Sequence, residues 1–153
     1  MPTTTTNNLY ITILRSKLLE ALQVVSCSVG SEASSLPILR SVLLRASSGS
    51  IFLVTTDLEV LTEYSFSGKV TQPGAIAIPF QVFSGIVKNL RSERVTLTQE
   101  GLTLQVLADN YEASVYGQSA DDFPLIPSLH SPSIRMAFPQ GVLSEAFSKV
   151  SFA

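Results

Sequence analysis

Five apolar positions recur in the same phase sixty residues apart, and this recurrence limits the possible folds more than any single motif. Val82, Phe83, Ile86, Val87 and Leu90 form one helix-spaced stripe, and Val142, Leu143, Ala146, Phe147 and Val150 form the other. Each stripe follows a proline, Pro79 or Pro139, suited to opening a helix. Each proline follows a strand-like run, residues 75–78 or 133–138. The same order opens the chain. Residues 9–14 are strand-like, Ser16 is a candidate N-cap, and Leu18, Leu19, Leu22 and Val25 recur at helical spacing. Repetition of this kind outranks isolated motifs as a guide to architecture.

Three strand-like runs follow the first helix: 39–46, 51–56 and about 59–67. Ser47-Ser48-Gly49-Ser50 supplies a turn, and Pro73-Gly74 closes the unit. Runs 94–99, 102–108 and 111–116 follow the second helix, joined by the hairpin connections Glu100-Gly101 and Asp109-Asn110. The chain therefore reads as two strand–helix–three-strand units, with two helices and eight strands. A helix with one apolar stripe must cover a sheet on one side. The expected fold class is α+β, with two antiparallel outer sheets and both inner helices on one side, related by a pseudo-twofold. The expected division is a disordered polar tail over 1–8, a domain over 9–117, and a linker over 118–132 holding Pro124, Pro127 and Pro132. Residues 133–153 read as the start of a second copy, cut short, with a helix that has no sheet of its own to cover.

Composition removes several classes. Hydrophobic residues make up 45%, which is ample for a packed core and excludes intrinsic disorder. One cysteine, Cys27, and one histidine, His130, leave no disulfide framework and no Cys-rich zinc site. No metal and no cofactor are expected. The N-terminus has no basic segment followed by an apolar one, and Pro73 and Pro79 interrupt the longest charge-free stretch, 70–87. The chain reads as soluble and cytoplasmic, with no membrane partner.

Catalytic constellations are missing. His130 lies in a Pro-rich segment that would hold a general base poorly. No phosphate-cradling glycine loop is present. Asp121-Asp122 reads as a solvated pair, Thr56-Asp57 as turn chemistry, and Cys27 as a small buried residue at a helix end. A small Ser–His–Asp hydrolase is an alternative only on paper. Charge is more informative. The three helical segments together carry +3, and the rest of the chain carries −5, for a net of −2. A helix-lined face turned to a polyanion fits this division, through weak and salt-sensitive contacts suited to sliding.

Three motifs add to the repeat: Leu36-Pro37-Ile38-Leu39 with Val42-Leu43-Leu44 beyond it, Thr56-Asp57-Leu58-Glu59, and Asp121-Asp122-Phe123-Pro124. In this order and spacing the chain resembles the bacterial DNA polymerase III beta subunit family, the sliding clamps. The resemblance covers the first of three similar domains and the opening of the second. It implies an outer layer of sheets, an inner layer of helices, and a head-to-tail ring of two chains around duplex DNA. It implies no catalytic site. The ring would tether the replicative polymerase and be opened by a loader, through regions mostly absent from this chain. By position, the DNA-facing residues would be Arg15, Lys17, Gln23, Gln81, Lys88 and Arg91, with Lys149 on the third helix. The subunit interface would use Val82, Ile86, Tyr111, Ala113 and Val115. One departure is the loop 28–35. Relatives often carry a DNA-touching arginine there, and this chain has Ser31-Glu32-Ala33-Ser34-Ser35. A second reading keeps the clamp domain as a stand-alone interaction module that forms no ring.

Overall fold

Alternation in the first strand sends Ile11 and Ile13 to one side, and both are buried. The computed structural model describes residues 8–124, 126 and 134–152. The first unit runs β1 (Tyr10–Leu14), α1 (Arg15–Val25), β2 (Ser41–Ser47), β3 (Ser50–Thr56), β4 (Leu61–Ser67) and β5 (Lys69–Gln72). The second runs β6 (Gly74–Pro79), α2 (Phe80–Asn89), β7 (Arg94–Glu100), β8 (Thr103–Ala108), β9 (Tyr111–Tyr116) and β10 (Gln118–Ser119). A third helix, α3, spans Val142–Val150.

The first strand of each unit pairs within the other unit's sheet. One sheet has the order β5-β1-β7-β8-β9 and the other β10-β6-β2-β3-β4, with every pairing antiparallel. Thr12 lies opposite Thr96 in one exchange, and Leu44 lies opposite Ile76 in the other. Both helices pack into one core between the sheets. It includes Leu18, Leu22 and Val25 from α1 and Phe80, Phe83 and Val87 from α2. The α+β class, the two antiparallel sheets and the paired inner helices agree with the sequence reading.

Each unit also has a fifth strand that the pattern does not reveal, so the described residues hold ten strands rather than eight. The chain leaves β4, an edge of one sheet, and enters β5, an edge of the other. It makes the reverse passage from β9 to β10. A glycine stands at each corner. The Gly68 amide donates to the Gly49 carbonyl, and the Gly117 amide donates to the Leu102 carbonyl at 2.7 Å. A β-carbon on Gly68 would collide with Ile51 and Ile13. One on Gly117 would lie 2.5 Å from the Ala77 carbonyl oxygen. Side-chain absence is what lets the backbone turn here against a packed strand.

Several local expectations shift. Residues 37–40 form a 3-10 turn, because Pro37 supplies no amide to a strand, and β2 starts at Ser41. β4 starts at Leu61 because Asp57 organises the residues before it. The β7–β8 turn is Gly101-Leu102, since Glu100 is still paired with Thr103, and Gly101 takes φ +60°. Leu14, not Ser16, is the N-cap of α1. Cys27 is exposed, because a 3-10 turn rotates it off the buried stripe of α1. The stretch expected to be linker begins with β10 on β6, followed by Phe123 buried with Leu43, Val54 and Ala77. These residues cover the second face of that sheet, which explains why Val42, Leu43 and Leu44 are all buried. Residues 134–138 form no strand, having no partner strand beside them among the described residues. α3 begins at Val142 behind Gly141, and none of its residues is buried. His130, Ser133, Pro127, Pro132 and residues 1–7 of the expected tail lie outside the described residues.

Replacing Gly117 with alanine forces a shift of β6 backbone, so it should lower the unfolding free energy by about 1–3 kcal/mol. Urea titration of the Gly117→Ala chain measures this. Gly85 is the control. It lies within α2 with open space where a β-carbon would stand, so the same substitution there should be neutral or slightly stabilising, alanine being the better helix former.

Candidate nucleic-acid interface

The buried stripe of α1 is Leu18, Ala21, Leu22 and Val25, and that of α2 is Phe80, Phe83, Ser84 and Val87. What remains on their open sides decides the chemistry. Gln23, Gln81 and Lys88 are exposed there, and Arg91, just past the end of α2, is exposed beside Asp109, Asn110 and Tyr111. The two helices run antiparallel, held at one end by Arg15. Its Nε donates to the Val87 carbonyl at 3.2 Å and its Nη2 to the Lys88 carbonyl at 3.1 Å. Arg15 therefore caps the C-terminal end of α2, satisfying carbonyls that the helix leaves open. It is half-buried in this role. Lys17 is also half-buried and turns away from the other helix, with Nζ donating to Ser67 Oγ at 2.9 Å. Glu20 accepts a hydrogen bond from the Tyr64 hydroxyl at 2.9 Å, which pushes the phenol pKa up. The exposed positive charge of the helix pair thus reduces to Lys88, with Arg91 just beyond the end of α2 and Gln23 and Gln81 toward the other end. Lys149 on α3 is in an ion pair with Glu145 at 2.7 Å.

Arg40 escapes the sequence reading because it sits in a 3-10 turn and not on a helix. It is exposed, and with Gln81 and Glu32 it lines a groove of about 490 Å³ beside the start of α2. The acidic loop residue is thus offset locally by a base eight positions on.

The residues expected at a subunit edge separate into two groups. β9 ends its sheet, so one side of its backbone has no strand partner among the described residues. Tyr111 is exposed and Ala113 half-buried on this strand, while Val115 is a core residue. Alternation places the Val115 side chain inward and leaves only its backbone at the edge. On α2, Val82 is 53% exposed and Ile86 is half-buried. Phe80 takes the buried position that the five-residue stripe assigned to Val82. Tyr116, 80% exposed at the end of β9, is a further edge residue. Its signal is the alternation Val115-Tyr116, outward after inward.

The Thr56-Asp57-Leu58-Glu59 motif is turn chemistry. Asp57 Oδ1 accepts from the amides of Val60 at 2.8 Å and Glu59 at 3.0 Å, and Thr56 Oγ1 donates to the Val60 carbonyl. These amides hold the Asp57 carboxyl below its ordinary range. Leu58 adopts φ +79° within the same turn. Among the described residues no group of His, Cys, Asp and Glu could hold a metal, and no helix is long and apolar enough to cross a membrane.

Residues 9–127 match the family described as DNA polymerase III beta subunit, N-terminal domain. The chain is 32% identical over 145 residues to a beta sliding clamp of Vibrio cholerae, covering 93% of this chain and 39% of that protein. It is 30% identical over 145 residues to a beta sliding clamp of Vibrio harveyi, covering 93% of this chain and 98% of that one. Its structure matches a DNA polymerase III beta sliding clamp of Pseudomonas aeruginosa bound to griselimycin, with TM-score 0.86, 29% identity, and coverage of 95% and 40%. Two interlocked units with sheets outside and paired helices inside define a DNA-clamp-type domain. The chain belongs to the DNA polymerase III beta subunit family, the bacterial sliding clamps. It spans about two fifths of the length of the Vibrio cholerae relative.

Two predictions separate structural from surface charges. Arg15→Ala should cost about 1–2 kcal/mol of stability through two lost carbonyl partners, whereas Lys88→Ala should stay within about 0.5 kcal/mol; thermal and urea unfolding read both. Because the folded Asp57 pKa lies below its unfolded value, its contribution is fully present above the unfolded value of ~3.9. It is lost as pH falls through the lowered folded pKa. Asp57→Asn should flatten this acid limb of stability against pH, measured by urea midpoints from pH 6 to 2.

Proposed function

We propose that this chain is the N-terminal part of a sliding-clamp subunit, in which two chains close head to tail into a ring around duplex DNA. The ring carries no chemistry. It tethers the replicative polymerase, and a loader opens it, through the further domains of such a subunit. In this reading Gln23, Gln81, Lys88 and Arg91 face the duplex, and β9 with Val82, Ile86, Tyr111 and Ala113 meets the partner chain. Arg15 serves the duplex through its placement of Lys88. Lys149 contributes from the next domain, where Glu145 moderates its charge.

The observation that carries the reading is the helix face itself. In this reading two long polar amides and two exposed cations meet the regular phosphate backbone of the duplex. Phosphate contacts position a protein and carry no sequence information. With so few of them the hold is weak and no register on the DNA is preferred. Movement along the duplex then requires no strong contact to break. The free edge of β9 is a template for adding a strand from another chain, with Tyr111 and Val82 beside it as apolar cover.

The complete clamp, loaded on a nicked circular plasmid, should stay bound after buffer exchange and should be released when the plasmid is linearised. Equal retention on circle and line would sink encirclement. Lys88→Ala with Arg91→Ala should speed release and lower the slope of log affinity against log salt by about 4, one for each phosphate contact removed, two from each chain of the ring.

A further inference from the structure

On the side of the first sheet away from the helices, a hollow of about 640 Å³ opens over β5, β1 and β7. Its floor is Thr12 and Thr96, opposite one another in register with hydroxyls 3.3 Å apart. Lys69 lies across from Thr12 on β5, and Arg94 is two residues before Thr96 on β7. Strand alternation therefore sends all four to one face, while Ile11, Ile13, Val95 and Leu97 go to the core. Lys17 enters from the first turn of α1, fixed by its hydrogen bond to Ser67 at the end of β4.

The lining of this hollow contains three cations and no carboxylate. Among the described residues, neither Lys69 nor Arg94 makes an ion pair. The neighbouring carboxylate in sequence, Glu93, accepts a hydrogen bond from Ser16 at 2.7 Å instead. In a chain with net charge −2, three cations drawn from α1, β5 and β7 around one hollow are a concentration of positive potential, with Asp109 and Glu112 facing only the far side of Arg94, in the neighbouring hollow. They mutually repel unless an anion enters.

We propose that this hollow binds a single phosphate group. Arg94 supplies a planar fork for two oxygens, Lys17 and Lys69 neutralise a second charge, and the hydroxyls of Ser67, Thr12 and Thr96 are further donors. A dianion matches the charge better than a carboxylate does. The site is one concave spot and not a row, so it suits a terminal or free phosphate and not the repeating backbone of a duplex. It also takes Lys17 out of the helix face and assigns it to the opposite side of the domain. The inference goes beyond the clamp reading and stands or falls separately from it.

Binding of inorganic phosphate to the 153-residue chain, measured by calorimetry against chloride at equal ionic strength, tests the site. Saturable binding should weaken at least tenfold in the K69Q/R94Q double variant, whose two positions are exposed. It should be unchanged in R45Q, which removes one surface cation from the other sheet. Equal affinity in parent and double variant, or no saturable binding in the parent, overturns the proposal. A short single-stranded oligonucleotide with and without a 5′-phosphate identifies the source. Binding that needs the 5′-phosphate and is lost in the double variant supports the site and marks a strand end as the source. Binding of inorganic phosphate alone supports it with free phosphate as the ligand.

Discussion

Hydrogen bonding between β1 and β7, mirrored by β6 and β2, is the constraint on which the rest of the structure depends. Because each unit lends its first strand to the other's sheet, neither three-strand ladder is finished without its partner. The helix that follows each lent strand must then start at the seam between the sheets. This brings α1 and α2 side by side and lets Arg15 reach the carbonyls of Val87 and Lys88. The corner glycines complete the wrapping, returning the chain from the edge of one sheet to the edge of the other. The shared core follows from this pairing, since no apolar face belongs to one unit alone.

Much of this was legible from apolar spacing. Leu18, Leu22 and Val25 on α1, and Phe83 and Val87 on α2, are buried as their periodicity implies. The inner positions of β7 and β8 follow the simple alternation of a strand with one face in the core. The fifth strands were not legible. Lys69-Val70-Thr71-Gln72 has one apolar residue, and β10 has none, so edge pairing leaves no hydrophobic trace. The reading also failed where a side chain had two plausible duties. Val115 serves the core and lends only backbone to the edge. Asp121-Asp122 stands beside Phe123, whose burial makes the supposed linker part of the second face of a sheet. Arg15 looked like a surface cation because its role depends on a carbonyl 72 positions away.

The functional face has the same character. A tally of helix charges gives a positive side, yet hydrogen bonds divide those charges among different tasks. Arg15 is committed to a helix end, Lys17 to the far side of the domain, and Glu20 to Tyr64. What is left on the face proposed to meet DNA is sparse and mostly polar. Sparse contact is compatible with a fold whose hold on its ligand would come from topology, because a closed ring needs little affinity to stay on a closed circle.

The exchange of first strands also has a consequence during synthesis. Thr12 and Thr96 are 84 residues apart, so at roughly 5–20 residues per second β1 waits about 4–17 s for its β7 partner to be made, while β5, on its other side, is made earlier. Throughout that interval Leu9-Tyr10-Ile11-Thr12-Ile13-Leu14 is an apolar, β-prone and uncharged segment, the kind that pairs with a neighbouring copy if left unguarded. Arg15 and Lys17 directly follow it and act as gatekeepers against such pairing.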